Sequence, residues 1–316
     1  MKKKLIDVFL YGSSLKKLEN LGSGFREIPY YNKLSSFFDV LIIDYEKYNS
    51  DRRLDFNILS KNKLFTNFKW SIDYNNCVSK NLKINKSTII VSKQFLGSWL
   101  GIILKYKLKT KFFLRMGYSY SKSKKYDSFF GKLLSPIYYL IECLAIILSD
   151  GVIFSSETLK KRFFLMSKIK RNIIIPNPYI SSFIVPKKKI IERSYDVIYV
   201  GRFNKVKNLN QLNLFFNSID FKSIIISNVD PSIFKNSKVI NHLSNDKVYT
   251  YLNDSKYYIT FSKSEGSPKS TIEAIASGCI PILSNINIHR EIINNLGYGY
   301  LVNNHKQAID IMKKKK

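Results

Sequence analysis

Along this chain, short runs of β-branched and aromatic residues alternate with stretches whose apolar positions recur every three to four residues, the pattern of strands and helices taking turns. Continuous apolar runs at residues 5–11, 40–44, 88–91, 111–115, 151–154 and 173–175 predict strands buried on both faces, as in parallel sheets. Residues 136–148 read as an apolar helix. Ser155 or Ser156 is placed to cap the next helix, whose wet face carries Lys160, Lys161 and Arg162. The rigid turn Pro176-Asn177-Pro178 closes this block.

Residues 185–193 break the pattern with the polar run Val-Pro-Lys-Lys-Lys and no fold period, and are expected to be a linker. The alternation then restarts. Strands are predicted at 196–200, 223–227, 238–240, 257–261 and 279–283, and helices at 208–217, 246–252, 270–277 and 290–294. Two βαβ blocks joined by one linker imply an α/β fold of two Rossmann-like domains facing across a cleft, residues 1–184 and 194–316. The length of 316 residues suits two domains of about 150 each.

Composition changes this picture in two ways. Apolar residues at 45% and charged residues at 24% are enough for two ordinary cores and exclude global disorder. The net charge of +29 is uneven: residues 1–189 hold 35 basic and 13 acidic side chains, residues 190–316 only 17 and 10. Such a field favours an anionic partner, a membrane surface, a phosphorylated lipid or a nucleic acid; the alternative is a Lys-rich surface that only follows the chain's composition bias. Lys105, Lys107, Lys109 and Lys111 alternate with Leu104, Tyr106 and Leu108, and Lys122, Lys124 and Lys125 follow, so this segment is a candidate membrane-facing surface. The alternative is a solvated helix end leading into a core strand. No recognition helix or RNA-stacking motif points to nucleic acid.

The apolar stretch 133–148 falls short of the roughly 18–20 residues that a membrane span needs. Lys2, Lys3 and Lys4 precede an apolar run that Asp7 interrupts, which is no signal peptide. Cys77, Cys143 and Cys279 are far apart and odd in number, which fits a reducing compartment. The chain is expected in the cytoplasm, peripheral on the membrane's cytoplasmic face. His242, His289 and His305 have no partner at metal spacing and are expected on the surface.

The candidate chemistry lies in the second block. Residues 264–274 read Ser-Glu-Gly-Ser-Pro-Lys-Ser-Thr-Ile-Glu-Ala, after a strand and into a helix, at the edge where open α/β sheets bind ligands. The amides of Ser270 and Thr271, with the helix dipole behind them, are a ready phosphate site. Gly266 allows close backbone approach, Pro268 stiffens the entry, and Glu265 and Glu273 suit hydroxyl groups of a sugar or ribose. On the same edge follow Gly201, Arg202 and Lys207, two cations able to meet the charge of a departing diphosphate. Taken singly, each of these charges has a bland alternative, Glu273 as a first-turn helix acid and the cations as solvated loop charges.

Gly201-Arg202 with Lys207, then Glu265 and Glu273, then Ala274-Ile275-Ala276-Ser277-Gly278 and Pro281 resemble the retaining glycosyltransferases of family 4, which have the GT-B fold. Ile175-Pro176-Asn177-Pro178 resembles the turn before that family's interdomain linker, and the likeness extends over about residues 110–304. It implies that Arg202 and Lys207 bind the donor diphosphate and that Glu265 contacts the transferred sugar. It further implies that Glu273 binds ribose and that the backbone of Gly266, Ser267, Lys269, Ser270 and Thr271 holds phosphate or sugar. The base is expected near residues 243–245.

The resemblance implies no metal and no cofactor, and a UDP- or GDP-sugar as donor substrate. No Asp-x-Asp triplet is present. Where the family often has a histidine, this chain has Leu114-Arg115-Met116-Gly117-Tyr118, and the N-terminal glycine turn survives only as Gly22-Ser23-Gly24. The chain stops soon after Val302, so the C-terminal helices are expected to be shortened; a shortened reading frame would leave the enzyme weakly active or inactive. The expected function is hexose transfer to a cell-envelope saccharide or lipid-linked acceptor of O-antigen, capsule or lipopolysaccharide type. The alternatives are a non-catalytic membrane- or polyanion-binding protein and a GT-B sugar-nucleotide epimerase.

Overall fold

The computed structural model describes residues 2–9, 14–20, 24–44, 46, 54–60, 87–177, 188–234, 236–241 and 243–314. His242, Cys77, Pro178, Gly22 and Ser23 lie outside them. Two compact units form, one of residues 1–121 with 134–176, the other of residues 122–133 with 177–316.

The first unit is built on seven parallel strands: β1 Lys3–Val8, β2 Phe38–Asp44, β3 Asn57–Ser60, β4 Ile89–Lys93, β5 Lys111–Met116, β6 Gly151–Phe154 and β7 Arg171–Ile174. Their order is β3-β2-β1-β4-β5-β6-β7. Ile6 stands opposite Leu41 on one side and Ile90 on the other, and Phe112 continues the row from Ile90. All four side chains are buried, as expected of strands covered on both faces.

Helices α1 Leu15–Asn20 and α2 Gly24–Ser35 connect β1 to β2, and α3 Ser98–Leu108 connects β4 to β5. Helices α4 Tyr120–Asp127 and α5 Phe129–Leu148 run from β5 to β6, and α6 Glu157–Arg162 and α7 Phe164–Ile169 from β6 to β7. The connections from β4 onward all step the same way along the sheet. Right-handed crossovers therefore put α3, α5, α6 and α7 on one face. Leu100, Leu104, Ala145, Ile146, Leu159 and Phe163 of those connections share one core with Ile90, Phe112 and Phe154.

The second unit has six parallel strands, β8 Tyr195–Val200, β9 Ser223–Ile226, β10 Ser237–Ile240, β11 Ser255–Thr260, β12 Ile280–Ser284 and β13 Tyr300–Val302, in the order β10-β9-β8-β11-β12-β13. Helices α8 Leu209–Asn217, α9 Asn245–Asn253, α10 Lys269–Ala276, α11 Asn287–Leu296 and α12 His305–Lys314 connect or follow them. One core beneath the sheet is aromatic, with Phe215, Phe216, Phe234 and Phe261 in mutual contact. Strands β3 and β13 have no counterpart in the sequence pattern; each lies at an edge of its sheet, and β3 offers only Ile58 and Leu59 as apolar residues.

Three expectations change. The apolar helix expected at 136–148 begins at Phe129 and carries Pro136 inside it. At 20 residues it is long and apolar enough to span a membrane, unlike the 133–148 run taken alone. The basic segment at 105–111 is only partly free. Lys105 pairs with Asp150 at 3.0 Å and donates to the Leu148 carbonyl, Lys109 takes the left-handed cap position of α3, and Lys111 opens β5. Within the expected linker, Ile190–Glu192 form a 3-10 turn. Arg193 is buried and donates to the carbonyls of Lys188, Ser255 and Ser277, tying that segment to the second sheet. Ser156 caps α6 as expected, accepting from the Leu159 amide.

Candidate functional site

In the second sheet, strands leave β8 in one direction through β9 and β10 and in the other through β11, β12 and β13. The order therefore reverses between β8 and β11, the place where an open parallel sheet leaves a crevice at its carboxyl edge. The loops after these two strands hold the residues that the sequence singles out. They are joined directly, since the Lys263 amide donates to the Val206 carbonyl at 2.8 Å.

The loop after β8 carries Gly201 and Arg202 and ends in the short 3-10 turn Lys205–Lys207. Asn204 caps that turn, its side chain accepting from the Lys207 amide at 3.1 Å, and Asn208 exits it with a φ of 62°. The cap fixes the backbone from which the Lys207 side chain departs. Its ammonium forms an ion pair with Glu265, both side chains being about four-fifths buried. An ammonium has three donors, so the pair leaves capacity for a further anion.

Arg202 is exposed. Tyr199 donates its hydroxyl to the Arg202 carbonyl at 3.1 Å. Burial pushes the Tyr199 hydroxyl well above its ordinary pKa, with the Glu265 charge adding to that and Arg202 opposing it. Arg202 and Glu265 thus act on the same hydroxyl. A methyl group at Gly201 would meet that hydroxyl at 3.1 Å, so the glycine keeps this corner open.

After β11 the chain runs through Glu265, Gly266 and Ser267 to Pro268, which occupies the N-cap of α10. Proline offers no side-chain acceptor, and the first turn of Lys269, Ser270 and Thr271 has no side-chain cap. Ser270 and the buried Tyr258 hydroxyl are 2.9 Å apart, which holds that first turn against β11. Glu273 lies in the second turn of α10, not the first, and is 5% exposed, so the reading of a solvated helix-end acid fails. Burial raises the Tyr258 hydroxyl pKa, and the charges of Glu265 and Glu273 raise it further. Both carboxylates therefore bear on one point beside the start of α10.

Three residues join this site without having been singled out for it. Tyr199 and Tyr258 read in the sequence as ordinary strand aromatics. Asn177, part of the predicted turn, donates its side-chain amide to the Ser267 carbonyl at 3.0 Å. The expectation for His289 is overturned, since this side chain is fully buried rather than on the surface. Its Nδ1 lies 2.9 Å from the Ser284 carbonyl, and the Ser284 hydroxyl donates to the Ser262 carbonyl, so the end of β12 belongs to the same cluster. Burial is the main cause holding the His289 pKa down to about 4; the Ser284 carbonyl and Glu265 oppose that and Lys207 adds to it. His305 is partly buried against Gln211.

Leu243, expected near a base, packs partly buried against the core at the start of α9, beyond β10. Strand β10 is two strands from β8, about 10 Å across the sheet. In the first unit, Arg115 is on β5 beside Lys93 in register; burial raises the pKa of Asp7, and the charges of Lys93 and Arg115 oppose that.

Residues 232–314, which include strands β10 to β13, match the family Glycosyl transferases group 1. No curated protein matches the chain in sequence. Among solved structures, the fold is similar to a sucrose-phosphate synthase from Thermosynechococcus elongatus, with a TM-score of 0.78 at 12% identity over 99% of this chain and 89% of that one. It is also similar to an alpha,alpha-trehalose-phosphate synthase (UDP-forming) from Burkholderia vietnamiensis, with a TM-score of 0.71 at 10% identity over 99% and 89%. A lipopolysaccharide outer core galactosyltransferase aligns with a TM-score of 0.62 at 16% identity over 89% and 80%. The two parallel α/β sheets are those of the GT-B glycosyltransferases.

Proposed function

We propose that this chain is a retaining hexosyltransferase of family 4 type that uses a nucleotide-diphosphate sugar. The observation that carries this reading is the Lys207–Glu265 pair set beside the uncapped start of α10 at the reversal point of the sheet. A diphosphate fits there because the helix start, which has no side-chain cap, turns its positive dipole end toward it and Lys207 has spare donors, while exposed Arg202 closes over it. Glu273 grips the ribose hydroxyls. Glu265, already held by Lys207, accepts from hydroxyls of the transferred sugar. The 10 Å between the ends of β8 and β10 suits a nucleoside laid across the sheet toward Leu243.

In the transfer, the bond from the anomeric carbon to the diphosphate oxygen breaks, one to the acceptor hydroxyl oxygen forms with configuration kept, and the hydroxyl proton passes to the departing diphosphate. The charge that grows on the diphosphate is met by Arg202, Lys207 and the α10 dipole, without a metal or cofactor. The acceptor is a cell-envelope saccharide or a lipid-linked one, handled at the cytoplasmic face of a membrane by peripheral contact.

The test is a thermal-shift screen of UDP-, GDP- and ADP-sugars on the full chain. A ligand that binds only the native state at about 100 times its Kd adds about 2.7 kcal/mol of stability. One nucleotide class should raise the melting temperature, and Glu273→Ala should remove that rise, measured from the variant's own ligand-free melting temperature. A wild-type protein that ignores every nucleotide sugar would refute the reading.

A further inference from the structure

Helix α5 has two apolar faces and only one is covered. Its inner face is fixed to the first unit. Ala145 and Ile146 are fully buried in the core. The buried Glu142 accepts from the amides of Tyr120 and Ser121 and from the hydroxyls of Ser119 and Ser121. Tyr139 stacks on Phe163 with ring centroids 5.3 Å apart. Only 22% of the helix's apolar span is buried. The outer face shows Phe130, Leu133, Ile137, Leu140, Leu144 and Ile147, each between 42% and 72% exposed. Their spacing alternates three and four residues, so all six fall in one stripe along a helix about 30 Å long.

The neighbouring helix on that side of the sheet, α7, adds exposed Phe164, Leu165 and Ile169. A stripe of this kind is more than scattered surface apolarity, and it marks a place that something covers.

Charge decides what covers it. The helices on this face carry exposed Lys107, Lys132, Lys161 and Lys168, while their carboxylates are the buried, fully engaged Glu142 and the single exposed Glu157. Between residues 101 and 175 there are 15 basic side chains against 4 acidic ones. A second copy of the chain would set these lysines against their own equivalents, which is repulsive. An anionic bilayer complements both features at once, apolar side chains in the acyl region and ammonium groups at the headgroups.

We propose that α5 docks this protein on anionic lipid by lying in the plane of the membrane interface, its outer stripe sunk into the acyl boundary. The helix does not cross the bilayer, because its inner face is a wall of the first unit's core and Glu142 is held there by four donors. This deepens the peripheral contact proposed above by assigning it a surface. Vesicle binding needs no turnover, so its result stands whatever the donor screen shows.

The full chain is sedimented with phosphatidylcholine vesicles and with vesicles containing about one-third phosphatidylglycerol, a share that gives a strong surface potential. Binding to the anionic vesicles is expected to exceed binding to the neutral ones by at least about tenfold, and part of it should survive about 0.5 M salt, where surface charge is screened. The triple variant Ile137→Gln/Leu140→Gln/Leu144→Gln should lose at least about tenfold of the anionic binding, from the lost apolar insertion. It should melt like the wild type, since the three side chains are exposed.

A second variant, Leu140→Trp, keeps the stripe apolar. Its added fluorescence, read against the wild type, should shift blue on anionic vesicles and be quenched by brominated acyl chains. The proposal is overturned if the triple variant binds as the wild type does, if about 0.5 M salt abolishes all binding, or if the new indole is not quenched. It also fails if the wild type ignores vesicles and instead forms a dimer that the triple variant dissolves.

Discussion

Acid should weaken the protein through His289, and the effect can be worked out from the site. The Nδ1–H donates to the Ser284 carbonyl, which leaves Nε2 as the deprotonated nitrogen, buried and with no partner among the described residues. Burial holds the folded pKa down to about 4, against about 6.5 in the unfolded chain. Above about pH 6.5 the imidazole is neutral in both states and contributes nothing to the pH dependence. Between about 6.5 and about 4 the unfolded chain takes up a proton that the native state refuses. Stability then falls by about 1.4 kcal/mol per pH unit, about 3 kcal/mol over the window.

Two buried carboxyls, Asp7 and Glu142, have pKa values raised by burial and favour the folded state as pH falls, so they oppose this slope in the wild type. The contribution of His289 is therefore read as a difference. His289→Asn keeps a donor toward the Ser284 carbonyl and does not titrate. Urea unfolding of both proteins, followed by circular dichroism from pH 7.5 to about 4.5 in steps of about half a unit, should show the wild type losing ground to the variant by about 1.4 kcal/mol per unit below about pH 6. Parallel curves would mean that the imidazole protonates freely in the native state, and that the buried site described above is wrong.

Two further outcomes follow from the same structure. Lys207→Met should cost about 1–3 kcal/mol by leaving Glu265 unpaired at a mostly buried position, and should lower turnover about 100- to 1000-fold. Adding Glu265→Gln should return most of the stability but none of the activity, as separate urea and transfer assays would show, whereas recovered transfer would deny Lys207 its part. Glu142→Leu should destabilise the first unit by about 2–4 kcal/mol, because four donors lose their acceptor together. A melting temperature within a degree of wild type would exclude that network as a support of α5.

Much of the candidate site was legible because its residues are local in sequence. Glu265 to Glu273 is one loop and one helix, and Gly201 to Lys207 is one strand end and its turn. Both follow buried strands, and parallel strands place such loops on a common edge whatever the rest of the fold does. Strands β3 and β13 and the early helices were less legible. Strand β3 has only Ile58 and Leu59 as apolar residues between Asn57 and Ser60, so no apolar run marks it.

The sequence by itself determined the two α/β blocks, the edge of the second sheet where the candidate residues lie, and the acids and cations available there. Only the tertiary structure decided who meets whom. It chose β11 as the neighbour of β8, and so joined Lys207 to Glu265 across 58 residues. It took His289 from an expected surface place into the floor of that cluster, and it turned one apolar face of α5 inward while leaving the other uncovered. The physical reason is that periodicity reports which residues are apolar, whereas burial depends on which other element arrives to cover them. That arrival is set by strand order and crossover hand, and one chain's pattern does not write them down.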